Sequence, residues 1–264
     1  MSPKRNMADQ VSSLQNALRL LNLFTVDEPE LSVSQLAEKL GVGLSTAHRL
    51  ASTIAEEGFL RKDPVTKRYR PGSMILSMGN IVLSYLDVYR ISAPYLESLA
   101  KKTGETAHVC ILNDDHVIYL NKVDGKYPAS LLSHIGRRNP AHCTSSGQVI
   151  LAYQPWEVIE RVAAKGLKPF TNKTITSPET FFRLMKQIKQ RGYAVSLEEL
   201  HDGVNSVAAP IRHPDGKVTA SVSIAGPAQR INHRTIPQLV KALTDTANEI
   251  SAHLAKNVQG AGIQ

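Results

Sequence analysis

Between Leu14 and Phe24 the apolar side chains Leu14, Ala17, Leu18, Leu21 and Phe24 fall three or four residues apart, which predicts a helix with one buried stripe; Glu28-Pro29-Glu30 then interrupts it. A second helical pattern begins at Ser32, where Ser32 and Gln35 have the spacing of a capping box. It turns Leu36, Ala37 and Leu40 inward and stops at Gly41. A third runs from Ser45 to Glu57, with Ala47, Leu50 and Ile54 inward, Ser45, Arg49, Ser52 and Glu56 outward, and Gly58 at its end. The next segment, Phe59 to Gly72 with Pro64 near its middle, reads as a small β-hairpin. Met74, Met78, Ile81, Val82, Tyr85, Leu86 and Tyr89 then continue the helical spacing as one connecting helix.

Further along, Ser92–Lys102 predicts another amphipathic helix ending at Gly104. Thr106–Leu112 and Val117–Val123 predict two strands around the polar tip Asn113-Asp114-Asp115-His116. Ser130–Ile135 is a candidate strand. Ser146–Tyr153, Trp156–Ala164 and Pro178–Arg191 are candidate helices. Gly192–Leu197, Gly203–Arg212 and Lys217–Gly226 are strands bounded by turn residues, and Pro237–Lys256 is a final helix. An antiparallel sheet of five or six strands with helices packed around it gives an α+β domain behind an all-helical start with a hairpin.

Composition changes the picture little. A chain of 264 residues, 42% hydrophobic and 20% charged, suits about two ordinary domains. Two cysteines make no disulfide framework, no apolar run reaches bilayer length, and the opening residues lack a signal-peptide core, so a cytoplasmic protein is expected. Charge changes it more, because of where it lies. Residues 1–72 hold ten basic and eight acidic side chains, whereas 61–72 alone hold five basic and one acidic.

Two short helices joined through Gly41-Val42-Gly43 make a helix-turn-helix, whose second helix enters a DNA major groove by its first turns. Ser45, Thr46, His48 and Arg49 stand there, with hydroxyls suited to phosphates or base edges and an arginine able to bridge guanine O6 and N7. The hairpin makes a basic wing on which Lys67 and Arg68 are expected to meet phosphate. Such a module reads double-stranded DNA as a dimer on paired half-sites, and the apolar stripe of the connecting helix suits pairing with its twin.

Residues 91–264 show little catalytic chemistry. There is no GxSxG elbow, phosphate loop or HExxH, Cys110 and Cys143 lack a CxxC partner, and the nine histidines are not paired at metal-binding spacing. No enzyme, metal or cofactor is expected. Glu198-Glu199 on a strand face opposite ways and read as surface or loop charge. Small hydroxyls recur instead: Thr144-Ser145-Ser146-Gly147 opens a helix whose free N–H groups suit an anion, and Ser196, Ser206, Ser221 and Ser223 sit on the late strands.

The whole chain resembles the IclR-type transcriptional regulators. The resemblance is carried by Leu36-Ala37, Ser45-Thr46-Ala47-His48-Arg49-Leu50 and Glu57-Gly58-Phe59-Leu60. More specifically it is carried by His142-Cys143-Thr144-Ser145-Ser146-Gly147-Gln148, Arg191-Gly192-Tyr193-Ala194, Ala208-Ala209-Pro210-Ile211 and Ser223-Ile224-Ala225-Gly226-Pro227. It implies a winged helix-turn-helix over residues 1–72, a linker helix over 73–90 and a GAF-like effector-binding domain with an antiparallel sheet over 91–264. It further implies a dimer or dimer of dimers, and a small organic, aromatic or sugar acid as effector, held by Ser145, Ser146, Ser196, Ser206, Ser223 and Ala225. The family commonly has Ala-x-Gly-Lys or Gly-Ala-Gly-Lys where this chain has Ser145-Ser146-Gly147-Gln148. The expected function is a ligand-responsive repressor or activator of a catabolic operon. The alternative is a winged-helix protein whose C-terminal domain is enzymatic or a ligand-blind oligomerisation module.

Overall fold

The computed structural model describes residues 12–126 and 133–261. Its internal contacts divide the chain into two compact units, Met1–Tyr85 and Leu86–Gln264.

In the first unit, α1 (Ser13–Leu21), α2 (Val33–Leu40) and α3 (Leu44–Glu56) surround a core of Leu20, Leu31, Leu36, Ala47, Leu50 and Ala51. Ser12 and Ser32 each accept an N–H from the glutamine three residues on, and each glutamine side chain returns the bond, so two capping boxes fix where α1 and α2 begin. Gly41 ends α2 with φ +68°, a conformation that costs glycine little, and this sharp stop turns the chain into α3. Strands β1 (Leu60–Lys62) and β2 (Tyr69–Pro71) pair antiparallel, and Leu31 bridges to Tyr69. The Asp63 carboxylate holds their turn by accepting the N–H groups of Val65 and Thr66. Those two backbone bonds keep its pKa below the usual carboxylate value.

The connecting stripe is not one helix. Helix α4 (Ser73–Ser84) stops at Tyr85, Leu86 takes a non-helical conformation, and α5 (Asp87–Thr103) runs on through the segment expected as a separate helix from Ser92. Apolar residues fall at helical spacing on both sides of the break, so periodicity alone passes over it. The two helices are placed differently: α5 buries Val88, Ile91, Leu96 and Leu99, whereas α4 buries none of its residues.

The second unit is built on one antiparallel sheet: β3 (Thr106–Asn113), β4 (His116–Val123), β5 (Arg138–Pro140), β6 (Ala194–Leu197), β7 (Val204–Arg212) and β8 (Val218–Pro227), in spatial order β5-β4-β3-β8-β7-β6. Helices α5 and α9 (Ile236–Ala261) pack together and on the sheet. Helix α6 (Ser145–Leu151) also packs on the sheet, with α8 (Pro178–Arg191) against it and α7 (Trp156–Ala164) against α8. Of the expected strand Ser130–Ile135, residues 130–132 lie outside the described residues and Ser133–Ile135 are not in a strand. The edge position belongs to β5, whose three residues Arg-Asn-Pro carry no alternating pattern that a sequence reading could find.

Candidate functional site

On α3 the division of faces is sharp. Ala47, Leu50 and Ala51 are buried, Ser45, His48 and Arg49 are exposed, and Thr46 is half-buried. The exposed side chains lie in the first turns and carry no intervening acid, the arrangement that a recognition helix presents to base edges. In the wing, Lys67 holds φ +58° and is exposed, while the exposed Arg68 reaches back to the Glu30 carbonyl oxygen at 3.4 Å.

In the second unit, strand register decides which hydroxyls meet. Ser196 on β6 lies opposite Ser206 on β7, which lies opposite Ala225 on β8; in the next row Ala208 faces Ser223, and Ser223 faces His108 on β3. Directly opposed residues share a sheet face, so these side chains project together. They project toward α6: the Ser145 hydroxyl donates to Ser206 Oγ at 2.8 Å, and the Ser146 hydroxyl donates to Ser223 Oγ at 2.9 Å. Between helix and sheet lies a cavity of about 270 Å³, bounded by all five serines and Ala225. Its wall continues through Thr144, His108, Tyr119, Asn139 and Ser133, and through Leu200, His201 and Asp202 of the β6–β7 loop.

Helix α6 sits close to the chain before it because of one glycine. A Cβ on Gly147 would stand 2.3 Å from Ala141 Cα, so only glycine lets the helix approach the preceding 3-10 turn. Thr144 Oγ1 caps the helix by accepting the Gly147 N–H at 3.2 Å.

Burial shapes the electrostatics. Burial, with Lys122 nearby, pushes the His108 imidazole down to about 3, so it is neutral near pH 7; its Nε2 meets the Ser133 hydroxyl at 2.9 Å. Burial likewise raises the Cys110 and Cys143 thiols to about 12, which leaves both inert as nucleophiles. Burial first, then the Arg137 charge, lowers the pKa of His201.

One expectation is corrected. Glu198 is partly exposed and ion-paired with Lys173, but Glu199 is buried. Both Glu199 oxygens accept from Gln148 Nε2, at 3.1 and 2.9 Å, and burial raises the carboxyl to about 7. Strand β6 ends at Leu197, and Glu198 takes φ +57°, so the alternation used to place this pair no longer applies. Sequence reading also missed His108, Tyr119, Asn139, His201 and Asp202 as wall residues. A signal existed for His108, a polar side chain in the same phase of β3 as the buried Cys110. None existed for the loop residues.

The fold and the two sites define a class: a winged helix-turn-helix with exposed polar residues on its recognition helix, joined to a sheet domain enclosing a hydroxyl-rich cavity. Residues 13–64 match the IclR helix-turn-helix domain, and residues 80–252 match the bacterial transcriptional regulator IclR C-terminal model. The chain is 32% identical over 253 residues to the glycerol operon regulatory protein of Streptomyces coelicolor, spanning 94% of this chain and 98% of that one. It is 29% identical to the regulator XynR of Escherichia coli, over 92% of this chain and 97% of that one. Among solved structures, an IclR regulator from Alicyclobacillus acidocaldarius superposes with a TM-score of 0.79 at 31% identity, covering 93% and 100% of the two chains. An IclR homologue from Microbacterium hydrocarbonoxydans, complexed with 4-hydroxybenzoate, superposes with a TM-score of 0.80 at 26% identity, covering 92% and 99%. The chain belongs to the IclR family of bacterial transcriptional regulators.

Proposed function

We propose that this regulator changes its grip on operator DNA when a small organic acid fills the cavity under α6. The carrying observation is the pair of hydroxyl bridges, Ser145 to Ser206 and Ser146 to Ser223, which tie α6 to the sheet across the cavity. A carboxylate entering there meets the Ser206 and Ser223 hydroxyls, which accept in those bridges and so have their own hydrogens to offer an anion. The relative bound to 4-hydroxybenzoate and the 30%-identical p-hydroxybenzoate hydroxylase transcriptional activator of Acinetobacter baylyi support an acid as ligand. Ser45, Thr46, His48 and Arg49 read the major groove, and Lys67 and Arg68 hold phosphate. The protein works in the cytoplasm and catalyses nothing. Ligand acts by preferring one arrangement of the sensor domains, at a coupling of about 1–3 kcal/mol.

The exposed face of α4 supports dimerisation. Helix α4 buries none of its residues, and Met78, Ile81 and Val82 are 50–58% exposed, an apolar stripe suited to a second copy of the same helix. The assembly is a dimer or a dimer of dimers.

The test is a gel-shift titration on the DNA upstream of its own gene and its neighbours, with and without pooled organic acids. A shift that the acids alter supports the proposal, and one indifferent to every acid removes the acid from it. Arg49→Ala should weaken operator binding by about 1–3 kcal/mol and leave random DNA less affected.

A further inference from the structure

Glu199 sits where a carboxylate is hard to keep ionised. It is 6% exposed, and a single amide nitrogen, Gln148 Nε2, serves both its oxygens. The same nitrogen donates to the His142 carbonyl oxygen at 3.0 Å, so two N–H hydrogens meet three acceptors. Gln148 Oε1, fully buried beside them, has no partner. Around Gln148 Nε2 the acceptors outnumber the hydrogens, and protonation of Glu199 removes one of the competing acceptors.

Among the described residues, the groups that act on Glu199 include no compensating cation. From α6 it meets the neutral Gln148, from β6 the Ser196 hydroxyl, and from the residue before Thr144 the Cys143 thiol, which stays protonated. Ile175 offers it an N–H, and the Thr171 and Thr174 hydroxyls hold its backbone carbonyl. The His142 ring is engaged by the Lys168 carbonyl at 3.0 Å, Lys173 is paired with Glu198, and His201 and Asp202 follow in the loop.

Ser196 links this cluster to the cavity. Its hydroxyl lines the cavity and has one hydrogen for two acceptors, the Cys143 carbonyl oxygen at 3.3 Å and the Glu199 carboxylate. Resting on the reading of the cavity as a carboxylate site, we propose that Glu199 is a positioning residue acting through Ser196, so that an acid enters the cavity together with one proton taken up by Glu199. While Glu199 is ionised it claims the Ser196 hydrogen and leaves oxygen lone pairs toward the cavity, which repel an anion. Once a solvent proton binds Glu199, its O–H donates to Ser196 Oγ and the Ser196 hydrogen turns to the ligand carboxylate. Burial places Glu199 at about 7, between these two states at neutral pH.

The test is calorimetric titration of the full-length protein with benzoate, 4-hydroxybenzoate, pyruvate and gluconate, acids ionised throughout the range, from pH 6 to about 8.5 in buffers of different ionisation heat. A bound probe should take up one proton, and its affinity should fall by up to about tenfold per pH unit above the Glu199 midpoint. Glu199→Gln, permanently uncharged, should keep the low-pH affinity at every pH with no proton uptake. Ser196→Ala should bind weakly at every pH while the infrared band of the buried carboxylic acid still titrates. A pH-independent wild-type affinity, or a slope surviving in Glu199→Gln, overturns the proposal and leaves the carboxylate reading standing. No binding of any probe at any pH overturns both.

Discussion

At the scale of single residues, two side chains stand where their chemistry is costly. Glu199 has a folded-state pKa of about 7 against an ordinary 4.5, so the native state binds its proton more tightly than the unfolded chain. The stability this gives is fully present below pH 4.5 and is lost as pH rises through 7, about 3 kcal/mol in all. Glu199→Gln should therefore melt above wild type at pH 8 and converge with it near pH 5. Parallel melting curves against pH would refute a raised carboxyl. Lys67 occupies the left-handed region, which costs a side chain about 1 kcal/mol. Lys67→Gly should raise the melting temperature of the first unit while lowering affinity on every DNA sequence and reducing the salt slope; an unchanged slope removes Lys67 from the phosphate contacts.

Among the elements, α6 is the one on which the cavity depends. Its glycine admits no Cβ, since Ala141 backbone lies 2.3 Å from where one would stand. Gly147→Ala should cost about 1–3 kcal/mol by overpacking and displace the Ser145 and Ser146 hydroxyls from the sheet serines. Because the first unit has its own core around Leu20, Leu36 and Leu50, DNA binding in the absence of acid should persist while the response to acid is lost. Retention of a full response would show that the α6 serines do not hold the ligand. The helices of the first unit were legible because each carries its own instructions: a capping serine, an apolar stripe and, for α2, a glycine stop. Ser196, Ser206 and Ser223 were legible only as hydroxyls on neighbouring strands, since nothing local says which strands adjoin. Strand β5 and the Tyr85-Leu86 break were not legible, the first for want of pattern and the second because periodicity continued across it.

For the whole molecule, the exposed stripe on α4 predicts assembly. Ile81→Glu should shift the protein to smaller species by light scattering and weaken binding to a paired operator more than to a half-site; an unchanged mass would place the interface elsewhere. The sequence by itself determined the helices and hairpin of the first unit, the longer strands of the second, the polar first turn of the recognition helix and the family, since each rests on neighbours within a few residues or on motifs read along the chain. Only the tertiary structure decided which serines meet, that His108 and the 200–202 loop share their cavity, and that Glu199 is buried rather than exposed. These depend on strand order β5-β4-β3-β8-β7-β6 and on α6 resting against β7 and β8. Charge state follows burial, and burial is set by residues distant in the chain, so no local pattern could report it.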